Sequence, residues 1–209
     1  MIAHLLSSGY IDERIAEAMR KVPREFFVPE IYKRHAYADH PIPIGSGQTI
    51  SAPSIVGIMT KELDVRSGMK ILEVGSGSGW QCAILAVLAN PGIVYTIERI
   101  PELLENARRN VEKIGLKNIE FIYGDGSKGY PDKAPFDRIM VTAAAPKIPN
   151  PLVEQLANGG RMVIPVGTAF WQDLYVVEKI NGRIKTRRTL PVVFVPLIGE
   201  YGFDERDFK

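Results

Sequence analysis

The sequence predicts an α/β protein built on a doubly wound, mostly parallel sheet, with an antiparallel strand pair near the C-terminus and a helical cap at the N-terminus. From Met69 onward, apolar runs of strand length alternate with helical patterns, the arrangement of a parallel sheet covered on both faces. The first of these runs, Met69 to Val74, leads directly into glycines and then a helix. The tail differs, because its strand-like runs flank Asn181-Gly182, a hairpin signal.

The elements follow in order. Ile11, Ile15, Ala18 and Met19 have helical spacing up to Lys21, and Pro23 ends that helix by excluding α geometry from the residue before it. REFFVPEIYK reads as a short second helical or irregular piece. The stretch IPIGSGQTISAP, Ile42 to Pro53, is a loop whose polar residues are only Ser, Gln and Thr. An ordinary solvated loop recruits charges, so this one is shaped around something. After Pro53, residues Ile55, Val56, Met59 and Leu63 line one face of a helix. Strands are then expected at IVYTIE from Ile93, IEFIYGD from Ile119, FDRIMVTAA from Phe136 and RMVIPVG from Arg161. Between the first two, PELLENARRNVEKIG has Pro101 at a helix start, Leu104, Ala107, Val111 and Ile114 on one face, and Gly115 as C-cap. The run VVFVPL after the hairpin reads as one more apolar strand. Residues 1–66 thus form a helical cap with the uncharged loop, and residues 67–209 an α/β core, within a single domain.

Composition narrows the function classes. With 209 residues, 45% of them hydrophobic, the chain can bury a full core. A net charge of +2 lacks the basic excess that would neutralise a track of phosphates, so no nucleic-acid partner is expected. The one cysteine, Cys82, excludes a disulfide framework and reads as a buried small hydrophobe. His4, His35 and His40 have no metal-ligand spacing, so no metal is expected. Charges arrive too early for a signal peptide, and no apolar run approaches the roughly 18–20 residues of a membrane span. A soluble cytoplasmic protein, acting as a monomer, is the expectation.

Three strand tips carry the chemistry. In LEVGSGSGW, Gly75, Gly77 and Gly79 let the backbone turn tightly and approach a ligand at a helix N-terminus. Their GxGxG spacing differs from the GxGxxG of dinucleotide sites. Glu98 ends the next strand, where an acidic residue bonds the hydroxyls of a ribose. Asp125, between glycines in YGDGS, either meets an adenine edge or caps its own turn. Together the three outline a nucleoside pocket at the carboxyl edge of the sheet.

These residues resemble the Rossmann-like, class I methyltransferases that use S-adenosyl-L-methionine. The set YADHPIPIGSGQTISAPSIV, LEVGSGSGW, GDGSKGYPDKAPFDRIMVTAAAP, GGRMVIPVG and VVFVPLIG narrows the likeness to the protein-L-isoaspartate (D-aspartate) O-methyltransferase family, from about Ile11 to Gly199. GQTISAP is its most specific part. The resemblance implies methylation of the free α-carboxyl of L-isoaspartyl residues in damaged proteins and peptides, leading to repair through a succinimide, with S-adenosyl-L-homocysteine as product. It further implies that Ser51 is the active-site residue facing the substrate carboxylate, and that Thr49, Ala52, Val141 and Thr142 border the substrate. Gln48, Thr49 and Ile50 would border the cofactor; Glu73, Gly75, Ser76, Gly77 and Gly79 would surround its methionine part; Glu98 would hold the ribose, and Asp125 with Gly126 the adenine. Trp80 departs from the pattern, being bulkier than the small aliphatic residue expected there. On the residues alone, Ser51 could equally be the N-cap of the following helix.

Overall fold

The computed structural model describes residues 1–208. The N-terminal cap begins with a short helix, α1 (Ile2–Ser7), that the sequence reading missed: it has under two turns and buries only Leu5, too little to show a period. Helix α2 (Glu13–Lys21) starts where Asp12 accepts a hydrogen bond from the Ile15 amide at 2.8 Å. Ile11, Ile15, Ala18 and Met19 are all buried, as their spacing predicts. Arg24 to His35 then forms two 3₁₀ turns.

The uncharged loop is in fact a β-hairpin. Strands β1 (Ile42–Gly45) and β2 (Gln48–Ile50) pair antiparallel through Ile42 with Ile50 and Pro43 with Thr49. Ser46 and Gly47 form the turn, both at positive φ, the geometry of tight hairpins. Strands of three and four residues leave no alternation to detect in the sequence. Helix α3 (Pro53–Leu63) follows, with Pro53 in its first turn.

The core alternates as expected: β3 (Lys70–Val74), α4 (Trp80–Ala89), β4 (Ile93–Glu98), α5 (Pro101–Glu112), β5 (Ile119–Tyr123), β6 (Phe136–Val141), α6 (Asn150–Glu154), β7 (Leu156–Gly167), β8 (Gln172–Ile180) and β9 (Arg183–Val192). The sheet order is β5-β4-β3-β6-β7-β8-β9. The first five strands in that order run parallel, and β8 and β9 complete an antiparallel meander on β7. Strand order reverses at β3, which lies between β4 and β6. Such a switch point leaves a crevice at the strands' carboxyl ends.

Successive side chains take opposite faces. Ile71, Val94, Met140 and Val163 pack with the helices of the cap and α4. Leu72, Ile97, Ile139 and Met162 pack on the other side with Leu152 of α6 and with Leu197. Strand β9 is the outer edge of the sheet, and its exposed RIKTRR run blunts that edge against pairing with another chain. Among the described residues no helix is long and apolar enough to cross a membrane.

One expected strand is absent. Beyond Val192 the chain leaves the sheet, and residues 193–198 cross the carboxyl ends of the strands, joined to the segment after β6 by an isolated bridge, Ala144 with Pro196. Pro196 has no N–H to offer a ladder, and the Phe194 amide donates instead to the Gln172 side chain at 2.8 Å.

Candidate active site

Three strand tips and two covering segments border an open cavity at the carboxyl edge of the sheet, where small-molecule sites of such folds lie. Its floor is the turn after β3. Gly75 and Gly77 adopt φ of +94° and +52°, and a Cβ on Gly75 would lie 2.4 Å from the Thr142 hydroxyl oxygen. Only glycine admits that approach. Thr142, just past β6, donates to the Gly75 carbonyl at 2.7 Å and so ties the first strand tip to the fourth.

Glu98 stands at the tip of β4 and lines the cavity. One carboxylate oxygen accepts from the Gly77 amide and the other from the Ile100 amide, each at 3.0 Å. The carboxylate therefore brackets the glycine turn to the loop before α5. Its remaining lone pairs can accept from a ligand's hydroxyls. Gln48 and Thr49 of the hairpin close one side, and Val195, Pro196, Leu197 and Ile198 close another. Sequence reasoning gave no site role to that last segment, nor to Ile97, Arg99, Ile100 and Ala143, which also line the cavity. A signal existed in VVFVPLIG, whose Pro196 argues against a ladder strand.

A smaller cleft opens off the cavity between the hairpin and the crossing segment. Thr49, Ser51, Ala52, Ile55 and Thr142 line it, facing Val193, Phe194 and Val195. No charged side chain is among its lining residues. Ser51 is not the helix N-cap: Ala52 holds that position, and the Ser54 amide of the first turn is satisfied by Asp39 at 2.8 Å. Thr49 and Thr142 line cavity and cleft alike, so the two spaces share a wall. Ile50 is buried behind them and lines a third small space with Ser76 and Trp80.

Other expected site residues lie elsewhere. Val141 is fully buried in the core, while Thr142, expected beside it, and Ala143 line the cavity. This follows from strand alternation, since Val141 faces the interior of the sheet's second layer. Gly79 packs against α5, where a Cβ would lie 3.0 Å from the Ala107 carbonyl oxygen. Asp125 serves its own turn: it accepts from the Ser127 amide and hydroxyl at 2.9 and 2.6 Å, and from the Glu200 amide at 2.9 Å. Gly126 lines the cavity.

Glu73 and Ser76 form a buried polar layer beneath the turn. The Thr96 hydroxyl donates to Glu73 and lies 2.7 Å from the Ser76 hydroxyl. Burial, with the nearby Glu98 charge adding to it, pushes the Glu73 carboxyl up to about 8, against the bond from Thr96. The folded chain thus holds this proton more tightly than the unfolded chain does. Stability from Glu73 is greatest below about pH 4.5, declines as pH rises, and levels off above about 8. Glu73→Gln should flatten that decline: unfolding by urea at pH 9 should find the variant more stable, by up to a few kcal/mol, and at pH 4 nearly unchanged.

Behind the cleft lies a residue that the sequence did not single out. Arg24 is fully buried, donates to the Ser51 carbonyl at 2.8 Å, and stacks its guanidinium 4.5 Å from the Trp80 ring centre. Burial lowers its pKa to about 10, partly offset by Asp39, so it stays charged at neutral pH. The bulk of Trp80 is accounted for here: the indole supports Arg24 and donates to the Val22 carbonyl at 3.0 Å, joining the cap to α4.

The cavity fits an adenosine-type cofactor, with a carboxylate at the ribose position, a glycine turn at a helix N-terminus, and an apolar ledge from Ile97 to Leu197. A family model described as protein-L-isoaspartate(D-aspartate) O-methyltransferase matches residues 1–202. A protein-L-isoaspartate O-methyltransferase of Methanothrix thermoacetophila is 57% identical over 94% of this chain and 93% of its own length. That of Aeropyrum pernix is 56% identical over 98% of this chain and 80% of its own. The Plasmodium falciparum structure described as a protein-L-isoaspartate O-methyltransferase in complex with S-adenosyl-L-homocysteine superimposes with a TM-score of 0.85 at 29% identity, covering 94% of this chain and 96% of that one. A precorrin-6y C5,15-methyltransferase of Geobacter metallireducens, at 15% identity over 71% of this chain and 90% of that one and a TM-score of 0.54, shares the fold alone. With the switch-point cavity, the Glu98 bracket and a family match across nearly its whole length, the chain belongs to the protein-L-isoaspartate (D-aspartate) O-methyltransferase family.

Proposed function

We propose that this protein methylates the free α-carboxyl of L-isoaspartyl residues in damaged proteins and peptides, using S-adenosyl-L-methionine, as the first step of repair through a succinimide. The observation that carries the reading is the uncharged cleft of Thr49, Ser51 and Thr142 sharing a wall with the nucleoside cavity. Gly75, Gly77 and Glu98, with Gln48 and Gly126, would hold the cofactor. When bound, it supplies an electrophilic methyl group on a sulfonium.

The chain's own contribution is alignment. A carboxyl with a pKa of about 4 is ionised at neutral pH, so the acceptor needs no general base. Ser51 and Thr49 would orient it with neutral hydroxyls; a cation there would stabilise the carboxylate before transfer and blunt its nucleophilicity. Orientation of this kind can supply roughly 7–11 kcal/mol of the barrier reduction. Hairpin and crossing segment border the site on two sides. The buried free thiol of Cys82 suits the reducing cytoplasm.

The test offers an isoaspartyl peptide and its normal aspartyl counterpart with methyl-labelled cofactor. Base-labile label on the isoaspartyl peptide alone is the expected result. Cofactor binding without label on either peptide would overturn the assignment.

A further inference from the structure

The apolar side chains most exposed to solvent include Phe170 at 79%, Trp171 at 81% and Val193 at 79%. They gather at one place. Phe170 and Trp171 form the tip of the β7–β8 hairpin, whose closing pair is Gly167 with Gln172. Gln172 also pairs with Val192, the last residue of β9, and its side-chain oxygen holds the Phe194 amide at 2.8 Å. The tip therefore stands beside Val193, and Val193 lines the Ser51 cleft. Because β7 runs parallel to β6, this hairpin leaves the sheet at the same carboxyl edge as the cavity.

The tip is an ordered turn. Thr168 donates its amide to the Trp171 carbonyl at 2.9 Å and accepts from the Trp171 and Phe170 amides at 3.2 and 3.4 Å. Backbone groups are thus satisfied internally, and neither aromatic ring is needed to close the turn. Two aromatic side chains at a hairpin tip forfeit the solvation that polar turn residues would have, and such apolar exposure beside a cleft marks an interaction surface.

We propose that Phe170, Trp171 and Val193 form an apolar lip that receives the side chains flanking the modified residue in the acceptor polypeptide. This rests on reading the Ser51 cleft as the acceptor site. The occupant follows from continuity: the cleft wall runs through Val193 directly to the aromatic tip, so a chain threaded past Ser51 crosses the lip. Native proteins bury their large apolar side chains, so a lip of this kind selects unfolded or frayed segments.

Two labelled isoaspartyl peptides test this, one with Leu and Phe flanking the isoaspartyl residue and one with Gly and Ser. Binding is read by fluorescence anisotropy with S-adenosyl-L-homocysteine present, so that no turnover is needed. The unmodified protein should bind the apolar-flanked peptide about tenfold more tightly. The double variant Phe170→Ser with Trp171→Ser, whose exposed side chains leave the turn's hydrogen bonds intact, should lose that preference and bind the Gly/Ser peptide unchanged. Equal binding of the two peptides by the unmodified protein, or a preference that survives in the variant, overturns the lip. So does sedimentation showing self-association that the variant abolishes, since the tip would then be a contact between copies. Methyl transfer is scored separately: a lost preference in the variant upholds the lip even if neither peptide is methylated, a result that would sink the proposed reaction alone.

Discussion

Replacing Ser51 and Thr49 together by alanine is expected to lower methyl transfer to an isoaspartyl peptide by roughly 10²–10⁴-fold, because each hydroxyl bonded to a carboxylate contributes about 1.5–3 kcal/mol. Both residues line the cleft, yet only Thr49 also lines the cofactor cavity. The single variants should therefore differ: Ser51→Ala should leave S-adenosyl-L-homocysteine affinity unchanged, whereas Thr49→Ala should weaken it modestly. Neither side chain is part of the folded core, so thermal melting should move little. Unchanged turnover by the folded double variant would remove the chemical role assigned to the hairpin.

The second large effect is expected at Arg24. Arg24→Ala deletes a fully buried side chain, orphans the Ser51 carbonyl and leaves the Trp80 face without its cation. A loss of about 3 kcal/mol or more in denaturant unfolding should follow. Arg24→Met refills the volume without restoring the hydrogen bond. It should regain much of the stability while remaining slow in methyl transfer, with kcat reduced more than KM is raised, because the backbone carrying Ser51 is no longer fixed from behind. Wild-type kcat in the methionine variant would show that Arg24 supports the fold only.

Much of this was legible in the sequence where one physical signal dominates. The parallel strands read as continuous apolar runs because both of their faces are covered, and Ile15 or Val111 declared a helix face by spacing. Strand tips one and two were readable because glycines at positive φ and a terminal glutamate have few other reasons to recur there. What could not be read depends on contacts distant along the chain. Arg24 looks like any charged residue until Ser51 and Trp80 are brought to it. Glu73 and Ser76 sit in a motif that borders the cofactor, yet three-dimensional packing turns them into a polar layer with Thr96. Val141 and Thr142 were named together as wall, but strand alternation turns the Val141 side chain into the core while Thr142 lines the cleft. The crossing segment was taken for a strand because its composition is that of one, and only Pro196 and the Gln172 side chain divert it.

That diversion separates closing the pocket from building the sheet. The floor of the cavity comes from the tips of β3, β4 and β6, but Val195 to Ile198, part of its wall, come after the last strand of the sheet. A chain clipped after Val192 keeps all seven strands of the sheet but lacks that wall of the pocket. Holding the cofactor thereby depends on a segment that the sheet itself does not need.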